Sequence, residues 1–216
     1  MTPPSQHPAP HDYSVVASVD RFQGRVIGLR TDSVRMPDGS VSDRDIVIHP
    51  GAVAIVALDD EGRIVLVRQW RQPVGREMEE LPAGLLDIAG EPALRGAQRE
   101  LHEEAALTAG EWYVLLDLHT SPGMTDEAIR IYLARDLAAV PEADRYQPEH
   151  EELTMTVRRI PLDDAVAAAY AGEITNAAAV AGILAAALGR ATGWVGLRPA
   201  DSFWPARPDR ATPASA

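Results

Sequence analysis

The sequence contains no cysteine and no lysine; all twenty of its basic residues are arginine. Without thiols there can be no disulfide framework and no thiolate metal centre, and a reducing cytoplasm is the expected location. No apolar run is long enough to cross a bilayer. The longest, residues 177–188, is about a dozen residues against the ~20 that a spanning helix needs, and its alanines suit a packed helix. The N-terminus, MTPPSQHPAPHDYS, lacks the basic segment and apolar run of a secretory signal. Internal repeats are absent. Positive charge is scarce, with a net charge of −12. That balance is wrong for a diffuse nucleic-acid binder, so neither nucleic acid nor a membrane is an expected partner.

What is present suits one packed domain with tails: 216 residues, of which 46% are hydrophobic. Residues 1–12 are rich in proline and read as a flexible arm. The early histidines His7, His11 and His49 have no ligand-like spacing. Residues 13–48 carry strand-like patterns, with Asp38-Gly39 as a hairpin signal. Residues 49–190 form the main domain. Its apolar, β-branched run 52–58 reads as a buried strand, followed by the Asp59-Asp60-Glu61-Gly62 turn and a strand over 63–70. These two strands are expected to pair as an antiparallel hairpin. The pattern then predicts a helix over 92–106, strands over 112–118 and 128–134, a loop over 119–125, an acidic loop over 142–152 and a strand over 153–160. Alanine-rich helices follow over 162–171 and 176–189, with Gly172 as a stop between them. Residues 191–216, rich in proline and arginine, read as a loose C-terminal tail. The expected class is α+β, with a mixed, largely antiparallel sheet and an N-terminal β region.

The chemistry concentrates in residues 84–107, GLLDIAGEPALRGAQRELHEEAAL. At 100° per residue, Leu94, Ala97, Leu101 and Ala105 fall within an arc of ~80°, a buried stripe. Glu100 and Glu104 lie ~40° apart, one turn above the other, and Glu103 lies ~60° from Glu100. Three carboxylates therefore crowd one flank. Like charges at i,i+4 destabilise a helix, more so when half-buried. Arg99 can offset this through its i,i+4 pair with Glu103, whereas Glu100 and Glu104 have no such partner in the helix. A divalent cation would relieve the repulsion. Hard oxygen ligands without histidine favour Mg²⁺ or Mn²⁺ over zinc. Gly96 sits on the same flank, where glycine costs ~1 kcal/mol against alanine. It is either a tolerated substitution or a place where a loop or phosphate approaches the backbone.

Gly84, Glu91, Arg99, Glu100, Leu101, Glu103 and Glu104 resemble the Nudix box: a glycine, a glutamate, then Arg-Glu-aliphatic-x-Glu-Glu. Two positions depart from it. Six residues, 85–90, separate Gly84 from Glu91 where the family has five, and Ala106 stands where the family has glycine. The first change alters the loop and could displace Glu91; the second bears on how the helix ends. The resemblance covers roughly residues 14–190. It extends to Gln69-Trp70-Arg71, to Glu80-Leu-Pro-Ala-Gly, and to Pro122, fifteen residues past Leu107, which is a marker in ADP-ribose pyrophosphatases of the family.

The resemblance implies a Nudix-like α/β/α sandwich and metal-dependent cleavage of the pyrophosphate of ADP-ribose into AMP and ribose 5-phosphate. Such a bond is inert because its negative charge repels water, so catalysis needs charge neutralisation, an oriented water and a base. By resemblance, Glu100 and Glu104 hold Mg²⁺ (or Mn²⁺), with Glu103 contributing or orienting and the Ala83 carbonyl as a further ligand. Arg99 orients Glu103. Arg71 is the expected phosphate contact, because guanidinium matches phosphate geometry, and Pro122 marks the substrate-binding loop. The base is expected on the acidic loop: Glu151 first, then Glu149 or Glu152. Relatives dimerise through N-terminal strands, so residues 13–48 are the expected homodimer region. Three alternatives stay open: another nucleoside diphosphate sugar or a dinucleotide as substrate, a module that senses ADP-ribose without cutting it, and a purely structural acidic protein.

Overall fold

A computed structural model describes residues 13–147 and 153–206. The chain divides into two compact units, Met1–His49 with Ser121–Asp126, and Pro50–Thr120 with Glu127–Ala216.

In the first unit, β1 (Ser14–Gln23), β2 (Gly28–Arg35) and β3 (Val41–Ile48) form an antiparallel sheet in that order. The turn between β2 and β3 carries Gly39 at φ 85°, a left-handed conformation that glycine adopts without strain. Alternate positions tie the strands together through polar side chains. Ser18 donates to Asp32 at 2.7 Å and Thr31 donates to Asp45 at 2.7 Å. All of β1 is exposed, including Val15, Val19 and Phe22.

The second unit is an α/β/α sandwich. Its strands are β4 (Ala52–Ala57), β5 (Arg63–Arg71), β6 (Arg76–Glu80), β7 (Ala83–Leu85), β8 (Leu107–His119), β9 (Ala128–Ala139), β10 (Thr156–Pro161) and β11 (Arg198–Pro199). They form two sheets, ordered β10-β5-β6 and β11-β8-β9-β4-β7. Among these ladders only β4 with β9 is parallel, so the mixed, largely antiparallel architecture is as expected. The helices are α1 (Ala93–Ala105), α2 (Leu162–Tyr170) and α3 (Ala177–Ala191). Every residue of β4 is buried, as a strand covered on both faces requires. On one face Ala54 and Val56 join Leu66, Leu81, Leu162 and Ile183 beneath α2 and α3. On the other, Val53 and Ile55 join Ala97, Leu101, Leu107 and Tyr132 beneath α1.

The structure corrects two expectations. Residues 52–58 and 63–70 do not form a hairpin. Apart from one bridge, Leu58 to Ile64, they belong to different sheets. Residues 52–58 and 64–67 are apolar at every position, so alternation alone leaves their partners open; β4 is claimed by β7 and β9, β5 by β6 and β10. The C-terminal segment is not loose through Ala206. β11 pairs with β8, and Trp204 is buried beneath α1's face of the sheet. Arg130 fixes the segment by donating to the carbonyls of Ser202 and Phe203 and by lying 4.9 Å from the Trp204 ring centroid. Residues 1–12, read as an arm, and 207–216 lie outside the described residues.

Candidate active site

Helix α1 begins after Pro92, whose carbonyl accepts from Arg95 and Gly96. It seats Ala97 and Leu101 in the core with no exposure. That anchoring forces the neighbouring flank, with Glu100 and Glu104, against β7. Glu104 Oε2 accepts the Ala83 N–H at 2.9 Å. Glu100 lies so close to Gly84 that a Cβ there would fall on the Glu100 carboxylate itself. The glycine is therefore required by the carboxylate, not by backbone conformation.

Arg99 is the hub of the box. It donates to Glu103 at 3.0 Å and to Glu100 at 2.6 Å through Nη1, and to both oxygens of Glu91 at 3.3 and 3.4 Å. Burial works against its charge, but the three surrounding carboxylates outweigh that and raise its pKa. Glu100 thus has a helix partner after all. The i,i+1 spacing hid it, because adjacent residues do not face each other on a regular helix; here the long Arg99 side chain bends across. The longer loop keeps Glu91 on Arg99. Gly96 makes room for that loop: a Cβ would sit 3.1 Å from Glu91 Oε2 and from Leu86 Cδ2. The loop thus approaches the backbone there through the Glu91 and Leu86 side chains.

Burial pushes the Glu100 carboxyl up to about 7 against the pull of Arg99, with Glu103 and Asp87 adding repulsion. Burial pushes Glu104 up to about 8, opposed by the Ala83 N–H and Arg71 and reinforced by Glu100 and Glu80. Two neighbouring carboxylates that resist ionisation at neutral pH gain their charge cheaply when a cation replaces the proton. Among the described residues no three acidic or histidine side chains already stand as a ligand set, since Arg99 and the Ala83 N–H hold the carboxylates in this state. The donors nonetheless fit a hard divalent cation: all are oxygens, Glu100 is buried and Glu104 half-buried, and a glycine opens the strand beside them.

Arg71 lies at the end of β5 and forms a two-pronged ion pair with Glu80 at the end of β6, Nε to Oε1 at 2.9 Å and Nη2 to Oε2 at 2.6 Å. Glu80 is buried, and sequence reasoning passed over it. The signal was available in Glu80-Leu-Pro-Ala-Gly, a charged residue opening an otherwise apolar turn. Pro122 belongs to the unit of the N-terminal strands. Glu149, Glu151 and Glu152 lie outside the described residues.

Fold and site together give oxygen donors suited to a hard divalent cation, on a helix seated against a glycine-bearing strand. Residues 48–179 match the NUDIX domain, and the chain belongs to that family as a Nudix hydrolase. It is 46% identical over 200 residues to an ADP-ribose pyrophosphatase of Mycobacterium tuberculosis, covering 93% of this chain and 95% of that one. An ADP-ribose pyrophosphatase of Bacillus subtilis is 38% identical over 162 residues, 75% of this chain and 85% of that one. A crystal structure described as an ADP compounds hydrolase superposes with a TM-score of 0.71 at 20% identity, covering 87% of this chain and 100% of that one. At that identity the likeness shows the fold.

Proposed function

We propose that this Nudix hydrolase cleaves the pyrophosphate bond of ADP-ribose into AMP and ribose 5-phosphate. Mg²⁺ is its cation, Mn²⁺ can substitute, and it works as a cytoplasmic homodimer. The reading is carried by one observation: Glu100, buried, and Glu104, half-buried, stand together against β7, where desolvation holds both well above the ordinary carboxylate range. The identities of 46% and 38% to ADP-ribose pyrophosphatases support the substrate. No helix among the described residues is long and apolar enough to cross a membrane.

In this reading Glu100, Glu104 and the Ala83 carbonyl hold the cation, with Glu103 contributing from the helix edge. A bound divalent cation supplies the positive charge that lets water approach an anionic pyrophosphate. Arg99 holds Glu103 and Glu100 in place, so its role is positional. Arg71 reaches a phosphate oxygen, and the loop of Pro122 borders the substrate. Glu151, or else Glu149 or Glu152, takes the proton from the attacking water. The exposed Val15, Val19 and Phe22 of β1 support residues 13–48 as the region that meets a second copy.

The test is hydrolysis of ADP-ribose by the purified chain with Mg²⁺, with Mn²⁺ and with chelator, beside other nucleoside diphosphate sugars and dinucleotides. Cation-dependent release of AMP is expected, with a fall of about 100-fold or more in Glu104→Gln, since a ligand to a catalytic cation contributes several kcal/mol to the barrier. A tenfold preference for another substrate overturns the ADP-ribose assignment. Undiminished activity in Glu104→Gln overturns the site.

A further inference from the structure

We infer that Glu80 is a positioning residue: it holds the Arg71 guanidinium in the one orientation from which it meets a substrate phosphate beside the acidic helix. The inference rests on the proposed pyrophosphate chemistry and on Arg71 as its phosphate contact.

Three observations carry it. Glu80 is 2% exposed, a place where a carboxylate is costly unless its charge is matched and its oxygens are bonded. Both of its oxygens take Arg71, through Nε and Nη2. A two-pronged pair of this kind holds the guanidinium plane against Glu80. Finally, the pair is not needed to register its own hairpin. Glu80 stands opposite Val67 in the β5–β6 ladder, and Arg71 opposite Arg76, so Arg71 must reach back along the sheet to find Glu80. Glu80 stands three residues before Ala83, whose N–H donates to Glu104, so the pair lies on the segment that meets the acidic helix. Of the Arg71 side chain 41% is exposed, and holding so long a side chain in one rotamer costs conformational entropy. Tethering its fork before substrate arrives removes that freedom from the cost of binding.

A merely structural ion pair and a positioning pair make different predictions. The full-length chain is compared with Glu80→Gln, Arg71→Ala, Arg71→Lys and the Glu80→Gln/Arg71→Ala double variant. Three quantities are read: kcat/KM on ADP-ribose, calorimetric binding of its non-hydrolysable α,β-methylene analogue, and binding of Mn²⁺ alone by electron paramagnetic resonance. Glu80→Gln is expected to lower kcat/KM and analogue affinity by about tenfold, with Mn²⁺ affinity unchanged within about twofold. In the Arg71→Ala background the same change has no further effect, because Glu80 acts only through Arg71. Arg71→Lys, which leaves a cation beside the buried Glu80, keeps the charge but loses the two-pronged hold; it falls with Glu80→Gln instead of staying near the unmodified chain.

Losses that multiply in the double variant overturn the inference, as does full activity in Arg71→Lys. Loss of Mn²⁺ affinity in Glu80→Gln also overturns it, by making Glu80 part of the cation site. The underlying reading fails differently. If the unmodified chain binds the analogue without cleaving ADP-ribose, the hydrolytic reading falls, while the binding cycle still decides the role of Glu80. If it neither binds nor cleaves, both fall.

Discussion

Gly84 shows how far one missing methyl group reaches. Its place at the head of the box is visible in the sequence; its reason is not, because that reason is the Glu100 carboxylate arriving from a helix sixteen residues later. Alanine is otherwise acceptable in a strand such as β7. Gly84→Ala is therefore expected to fold but to push Glu100 off the strand. ADP-ribose hydrolysis should drop by about 100-fold, as for removal of the ligand itself, and Mn²⁺ should bind more weakly by paramagnetic resonance. Retained activity would mean that Glu100 takes no part in the site. Glu80 was marked by its place before Leu-Pro-Ala-Gly, but its partner was illegible for a related reason. A buried carboxylate is recognised by its partner, and Arg71 finds Glu80 by reaching along the hairpin, which no spacing rule describes.

At the scale of elements, α1 ends in a conformation that its sequence resists. Ala106 has φ 51° and ψ 43°, and its N–H closes on His102 and Leu101 before the chain turns into β8. This left-handed cap costs a residue with a Cβ about 1 kcal/mol, which glycine avoids. The family's glycine at this position is thus a cap, and the departure seen in the sequence is a matter of stability. Ala106→Gly should raise the melting temperature by about 2–4 °C, read by calorimetry. An unchanged or lower value would show that the helix end is held by other contacts. What could be read from sequence follows the same logic. α1 was legible because a period of 3.6 over thirteen residues is hard to produce otherwise, and Asn176 marked the start of α3 because its side chain caps Ala179. β4 and the 64–67 stretch of β5, buried at every position, carry no such signature. The run 52–58 was legible as a strand, but its partner was not. Proline and arginine made residues 191–206 look unstructured, although Leu197 and Trp204 are both packed against the core.

For the molecule as a whole, a net charge of −12 means that acidic groups outnumber basic ones, and the arginines paired with carboxylates decide where repulsion is turned into cohesion. Arg130 is the clearest case. Its side chain is 3% exposed in the middle of the main unit, and Asp117 receives it at 2.7 and 3.0 Å while also receiving Arg198 at 2.7 Å. One carboxylate thereby joins β8, β9 and the C-terminal segment. Burial opposes the ionised form of Asp117, but the hydrogen bonds and charges of the two arginines outweigh it and hold the group below its usual range. A folded-state pKa lower than the unfolded one adds stability that is present above the unfolded value, near 4, and lost as pH falls through the folded value. Asp117→Asn leaves the buried arginine without its counter-charge and should cost about 3 kcal/mol at pH 7. Urea midpoints at pH 7 and pH 3 test this. The gap between the two proteins should be wide at pH 7 and should narrow at pH 3, where the unmodified chain begins to lose the same charge by protonation. An equal gap at both values would show that Asp117 acts through shape alone, and that the C-terminal segment is held by Trp204 and the backbone without help from charge.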